Sequence, residues 1–293
     1  MLEFREININ DIKWVNELLK QSDFMGCEYS FANNMAWRRL NNSKICRYKD
    51  FYIVMSDDEN MAFTFPAGSG DYVDVLSQMR EYAQSRKKPF KIWNASESQI
   101  EYIRENFSDR FKVICDDTQY DYIYSAQDLI DMSGKKFHGK KNHVNAFKKY
   151  NWSFSEITEK DFDDCILFCV EDYVKNDRAQ TTSGISEQFA IDTYFMNYRE
   201  LELMGGLLRV DGNIAAVSIG ERLNSDTLVV HIEKADTQYR GSYAAMCNEF
   251  ARHFAVGYKY INREEDLGIQ GLRKSKRSYN PLFQLKKDIV IFK

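Results

Sequence analysis

The chain has 293 residues, 44% of them hydrophobic and 14% aromatic, and a formal net charge of −4. That length leaves room for one large domain or two of about 150 residues, and the apolar content with only three prolines excludes a largely disordered chain. The opening MLEFREININD carries Glu3, Arg5 and Glu6 with no apolar run behind them, and no stretch approaches the ~18 apolar residues of a membrane helix. The expectation is a cytoplasmic protein with neither signal peptide nor anchor.

In chain order, LEFREI reads as a strand, and Asp11 to Lys20 as a helix with Ile12, Val15 and Leu19 turned inward. Phe31 to Leu40 reads as a second helix, and KICRY, FYIVMS and MAFTF as three strands. Then come a helix over Asp71 to Arg86, the strand FKIWN and a helix over Ser96 to Phe107. FKVIC with DYIY closes the set.

A helix opened by Ser125 and continued through Phe147 follows, carrying GKKFHGKKNH at 134–143. With Lys148 and Lys149, this stretch holds no carboxylate, in a chain with acids almost everywhere else. Beyond it, WSFSEI alternates as a strand, Thr158 and Asp161 form a capping pattern, and Phe162, Cys165, Ile166, Cys169 and Tyr173 recur at helical spacing. A polar loop over Asn176 to Ser186 leads to a helix over Glu187 to Leu203, ended by Gly205 and Gly206. GLLRV and IAAVSIGER form a hairpin around Asp211-Gly212-Asn213, and TLVVHIE adds a third strand. A helix over Ser242 to Ala255, the strand YKYIN, a helix over Leu267 to Tyr279 and the strand DIVIF complete the chain.

The two halves match element for element, which predicts a duplicated fold. The fold class expected is α/β (α+β), two tandem domains each with a mixed, mostly antiparallel central sheet flanked by helices. The first domain spans 1–125, a basic connecting helix 126–150 and the second domain 151–293. Six cysteines without a CxxC pair read as buried reduced thiols. His138, His143, His231 and His253 show no ligand spacing, so no metal is expected.

SGKKFHGKKNHVNAFKKY at 133–150, HIEKADTQYRGSY at 231–243 and INREEDLGIQGLRKSKRSY at 261–279 carry a resemblance. With the element order, they resemble the tandem GNAT-like fold of the Fem-type aminoacyltransferases and, more nearly, the C-terminal domain of phosphatidylglycerol lysyltransferases. The resemblance implies an acyl- or aminoacyltransferase that moves its group from a CoA thioester or charged tRNA to an amine or hydroxyl. The donor would lie in the second copy. In such folds a pyrophosphate rests on the helix N-terminus after the fourth strand, here Gln238, Tyr239, Arg240, Gly241, Ser242 and Tyr243. Tyr243 departs from the small residue of that pattern and stands against ordinary CoA binding. In the first copy the equivalent loop, 66–71, places Asp71 and Asp74 at the helix start, which predicts a wall of the substrate groove without chemistry.

The resemblance also places Tyr279 where these enzymes keep an acid, with Glu233 or Asp236 to accept the amine's proton and backbone N–H groups near His231 and Ile232 for the oxyanion. Asn262 and Arg263 end the strand at the cleft mouth and read either as a solvated turn or as a substrate contact. Arg273 and Lys276 sit in a run of cations without acids, as do Lys135, Lys136, Lys140, Lys141 and Asn142. Three anions fit these: the phosphates of CoA or acyl-CoA, a tRNA backbone, and a lipid headgroup. So many cations suit an extended polyanion, which favours aminoacyl-tRNA. The other class of function is a non-catalytic anion- or RNA-binding module that retains the fold.

Overall fold

The structure is a computed structural model that describes residues 2–107, 110–175 and 182–293. Its elements in order are β1 (Arg5–Glu6), α1 (Ile12–Ser22), α2 (Phe31–Ala36), β2 (Ser43–Tyr48), β3 (Phe51–Ser56), β4 (Ala62–Thr64), β5 (Ala67–Gly68) and α3 (Tyr72–Ser85). These are followed by β6 (Lys91–Ser96), α4 (Glu97–Asn106), β7 (Phe111–Ile114), β8 (Asp121–Ser125), α5 (Ala126–Asp131), α6 (His138–Phe147), β9 (Trp152–Glu156), α7 (Phe162–Lys175) and α8 (Thr182–Met196). The remainder is β10 (Met204–Val210), β11 (Asn213–Arg222), β12 (Thr227–Ala235), α9 (Ser242–Phe254), β13 (Tyr260–Asn262), α10 (Gln270–Arg277), β14 (Phe283–Leu285) and β15 (Lys287–Phe292). The loop expected at 176–186 lies mostly outside the described residues, and α8 begins five residues before the helix expected at Glu187.

Local chemistry explains most boundaries. Asn8 and Asp11 form a reciprocal cap ahead of α1, Asp71 accepts the Asp74 N–H at the start of α3, and Ser96 with Gln99 caps α4. The β10–β11 turn places Asp211 at φ 49° and Gly212 at φ 85°, the paired left-handed geometry that suits a two-residue hairpin.

Two compact units result. The first holds residues 1–121, 265–268 and 284–293; the second holds 122–264 and 269–283. The first sheet runs β1-β2-β3-β4-β6-β15-β7 with β5 on β3, and the second β14-β8-β13-β12-β11-β10-β9. Both are mixed: only β4 with β6 and β12 with β13 pair in parallel among the described ladders. Read from their β1 and β9 edges, the two sheets have the same order, as duplication requires. The aromatic-rich core of the first unit gathers Phe51, Phe63, Phe65, Met79 and Phe90, and that of the second gathers Tyr122, Phe137, Phe147, Phe250 and Tyr279.

Two expectations change. The sequence closes the first set with DYIY and the last with DIVIF, but the pairing is reversed: β8 lies against β13, and β15 lies between β6 and β7. The single helix expected from Ser125 through Phe147 is two helices, because Met132 at φ 42° ends α5 and Gly134 at φ 79° turns the chain before α6. Neither α5 nor α6 stands apart as a connector, since both belong to the second unit.

Candidate active site

The second unit's sheet opens where β12 and β13 part. Their parallel pairing covers only Thr227 with Tyr260, Leu228 with Ile261 and Val229 with Asn262. Just beyond, the register of β12 on β11 jumps from Val230 opposite Gly220 to Ile232 opposite Ile219, so His231 is the extra residue of a β-bulge. Such bulges re-aim a side chain at the cost of a ladder position.

Side chains on or next to five elements meet at that opening. Arg263, directly after β13, donates from Nη2 to Glu233 Oε1 on β12 at 2.7 Å, and both side chains are nearly buried at 9% and 12% exposure. Its guanidinium lies 4.5 Å from the ring centre of Tyr279, which follows α10, and 5.6 Å from that of Tyr124 on β8. From α6, the Lys140 ammonium stands 3.5 Å from the same Tyr279 ring centre, a cation–π contact. Burial, and then the charge of Arg263, push the Lys140 amine down to about 8. Burial holds the Tyr279 hydroxyl well above the ordinary tyrosine range, so it keeps its proton at neutral pH. Burial likewise pushes the Cys247 thiol up to about 12, which makes it a neutral neighbour.

The bulged His231 is completely covered and bridges two carboxylates, Nδ1 to Glu264 at 2.8 Å and Nε2 to Glu221 at 3.0 Å. Its ring stacks on Tyr194 at 5.2 Å and 12°. Burial works against its charge, yet the hydrogen bonds to the two glutamates prevail and raise it to about 9. Asn262 supports the same turn, accepting the Glu264 N–H on Oδ1 at 2.7 Å. Glu264 sits at φ 56°, so histidine and asparagine together hold a turn whose preceding residue is Arg263.

The loop over Gln238, Tyr239, Arg240, Gly241, Ser242 and Tyr243 forms the start of α9, but four of its backbone N–H groups are engaged. The N–H of Gln238 goes to Asp236 Oδ1, that of Tyr239 to the Asp236 carbonyl, that of Arg240 to the Tyr150 hydroxyl and that of Ser242 to the Tyr239 carbonyl. Gly241 is demanded by packing: at φ 91° a Cβ would stand 2.1 Å from the His143 carbonyl oxygen of α6. Asp236 is part of this turn, and its carbonyl also accepts the Ser242 hydroxyl.

The remaining expected residues divide. Lys276 is buried and donates to the Arg263 carbonyl at 2.5 Å, bracing the site from behind. Lys135, Lys141 and Asn142 are exposed, Lys136 is exposed and pairs with Asp128 at 2.7 Å, and Arg273 is half-buried on α10. The Asn280 amide donates to the Lys136 carbonyl at 2.9 Å, which brings the basic end of α10 beside the residues leading into α6. Reading the sequence alone misses Tyr124, Cys247 and the His231 bridge.

In the first unit, Asp71 and Asp74 close the start of α3, with Tyr48 and Lys49 bound to Asp74. Cys27, Asp121 and Glu265 converge within 4.8 Å, a spacing a metal ion could use. The Lys287 ammonium stands among them, 2.7 Å from Asp121 Oδ1 and 3.5 Å from Cys27 Sγ, and supplies the positive charge itself. No helix among the described residues is long and apolar enough to cross a membrane.

Comparison with known proteins adds the following. The sequence pattern of the family described as phosphatidylglycerol lysyltransferase, C-terminal, matches residues 19–288. A protein of unknown function from Bacteroides thetaiotaomicron is 34% identical, covering 100% of both chains at a TM-score of 0.96. The L-PGS of Bacillus licheniformis shares 13% identity, covering 94% of this chain and 90% of its own at 0.66. FemX shares 8%, covering 98% and 96% at 0.65. At such low identity the last two show a common fold.

Proposed function

From the premise that the chain belongs to the phosphatidylglycerol lysyltransferase C-terminal family, we propose that it is an aminoacyltransferase drawing its aminoacyl group from a charged tRNA. The acceptor is an amine or hydroxyl. In the reaction the acceptor atom bonds to the aminoacyl carbonyl carbon, and the ester bond to the ribose oxygen breaks. Glu233 takes the proton released by the acceptor, and Tyr279 gives a proton to the departing ribose oxygen. Arg263 faces the donor's carbonyl or an anionic group beside it.

The observation that carries this reading is the meeting of Glu233, Arg263, Tyr279 and Lys140 where β12 and β13 part. A carboxylate, a protonated phenol and two cations around one opening are the parts that acyl transfer needs. A charged tRNA is favoured over acyl-CoA because four N–H groups of the loop over 238–243 are already used within the fold. The exposed Lys135, Lys141 and Lys274 are available to a nucleic-acid backbone.

The test incubates the full chain with tRNA carrying radiolabelled amino acids and follows acceptor-dependent loss of label, with acyl-CoA in parallel. Label transfer from tRNA is expected, with Glu233→Gln slower by about a hundredfold or more. Turnover with acyl-CoA alone would replace the donor assignment. A second reading, a non-catalytic RNA-binding module, draws on the 2% exposure of Tyr279 under Lys140. Retention of tRNA with no transfer to any acceptor would select it.

A further inference from the structure

We propose that Lys140 and Arg263 form a binding site for one compact oxyanion, a phosphate or a carboxylate carried by substrate and held in the ground state. For the owner of that anion the proposal rests on the transferase reading; for the site itself it rests on the geometry.

The Arg263 side chain is 91% buried, and its Nη2 is taken by Glu233 while Nη1 has no hydrogen-bond partner among the described residues. A buried N–H on a charged group left without an acceptor is costly. Beside it, the Lys140 ammonium finds a ring face and no carboxylate within ion-pair distance among the described residues. The groups around them do not make up the difference. Glu233 offers one negative charge, the phenols of Tyr279 and Tyr124 keep their protons, and the Cys247 thiol is neutral below about 12. The Arg263 guanidinium and the Lys140 ammonium therefore share the single carboxylate of Glu233 in a largely dry place, and a buried charge without a partner is unfavourable.

A single added anion resolves each feature at once. It gives Nη1 an acceptor, neutralises the excess charge and lies between two cations that otherwise repel, a repulsion visible in the lowered Lys140 amine. Access follows from the parting of β12 and β13 just before Arg263. Glu233 limits the guest to one compact charged group, because its carboxylate opposes a second negative charge nearby. Phosphate and carboxylate share this chemistry. The first would belong to the nucleotide end of the donor, the second to the acceptor.

The experiment titrates the full chain with inorganic phosphate, acetate or adenosine monophosphate and follows melting temperature and heat of binding at constant ionic strength. A saturable rise in melting temperature is expected with at least one of them. Lys140→Gln should weaken that binding about tenfold or more, while Lys160→Gln, at an exposed lysine just ahead of α7, should leave it unchanged. Phosphate and the nucleotide without acetate assign the donor end; acetate without phosphate assigns a carboxylate acceptor. No saturable binding of any probe, or binding that Lys140→Gln leaves intact, overturns the site. A chain that binds the anion but moves no label keeps this site and loses the transferase reading, so the two fail separately.

Discussion

At Lys140, burial and the neighbouring guanidinium both act against the protonated amine, whose pKa falls to about 8. Its charge is therefore present below that pH and lost above it, and affinity for a phosphate probe should decline as pH rises through about 8. Lys140→Arg should move the decline out of the measurable range, because a guanidinium stays charged. His231 works in the other direction: its raised pKa of about 9 means that its contribution to stability is complete below the ordinary histidine value of about 6.5 and lost as pH rises through 9. Melting temperatures of the native chain and His231→Gln should accordingly differ most near pH 6 and converge above pH 9. Sequence could not separate Lys140 from Lys141, because facing the site or the solvent depends on the phase of α6, which the break at Met132 and Gly134 resets. Glu233, Arg263 and Tyr279 were legible, each at the end of a recognisable element. The role of His231 was not, since a bulge is a register event between β11 and β12 and leaves no mark in one strand's residues.

Among elements, the loop over 238–243 shows how a familiar pattern serves another purpose. Its glycine looks like a phosphate cradle in sequence, yet the close approach at Gly241 is made by the His143 carbonyl of α6. Gly241→Ala should therefore destabilise the second unit by about 1–3 kcal/mol, from the left-handed backbone and the collision with a carbonyl oxygen. Denaturant unfolding of the variant measures this, and a loss below a few tenths would return the glycine to a ligand-binding role. FYIVMS and TLVVHIE were readable as short apolar runs rich in β-branched residues, buried nearly throughout, and α1 was readable from the helical spacing of Val15 and Leu19, which are buried on one face. DYIY and DIVIF were assigned to the wrong sheets because both are short apolar runs that suit either sheet equally, and long-range pairing decides between them.

For the molecule as a whole, that exchange makes the two units interdependent through the chain. The first sheet receives its penultimate strand from the last residues of the chain, with Val290 and Phe292 buried in the first unit's core. Lys287 anchors the strand: 1% exposed, it binds Asp121 at 2.7 Å and Glu28 at 2.9 Å. Removing its ammonium leaves two buried carboxylates facing each other, so Lys287→Met should cost about 3–5 kcal/mol of stability. Deleting 284–293 goes further, since it removes the strand between β6 and β7 and exposes both of their inner edges. Hydrogen exchange followed by mass spectrometry should then show lost protection across β6 and β7 while β10, β11 and β12, which take no strand from that segment, stay protected. Unchanged protection of β6 after the deletion would mean that β15 only lines an already complete sheet. A fragment ending at 150 should likewise fail to fold although it spans a full copy by sequence pattern, because it lacks the strand that its own sheet borrows.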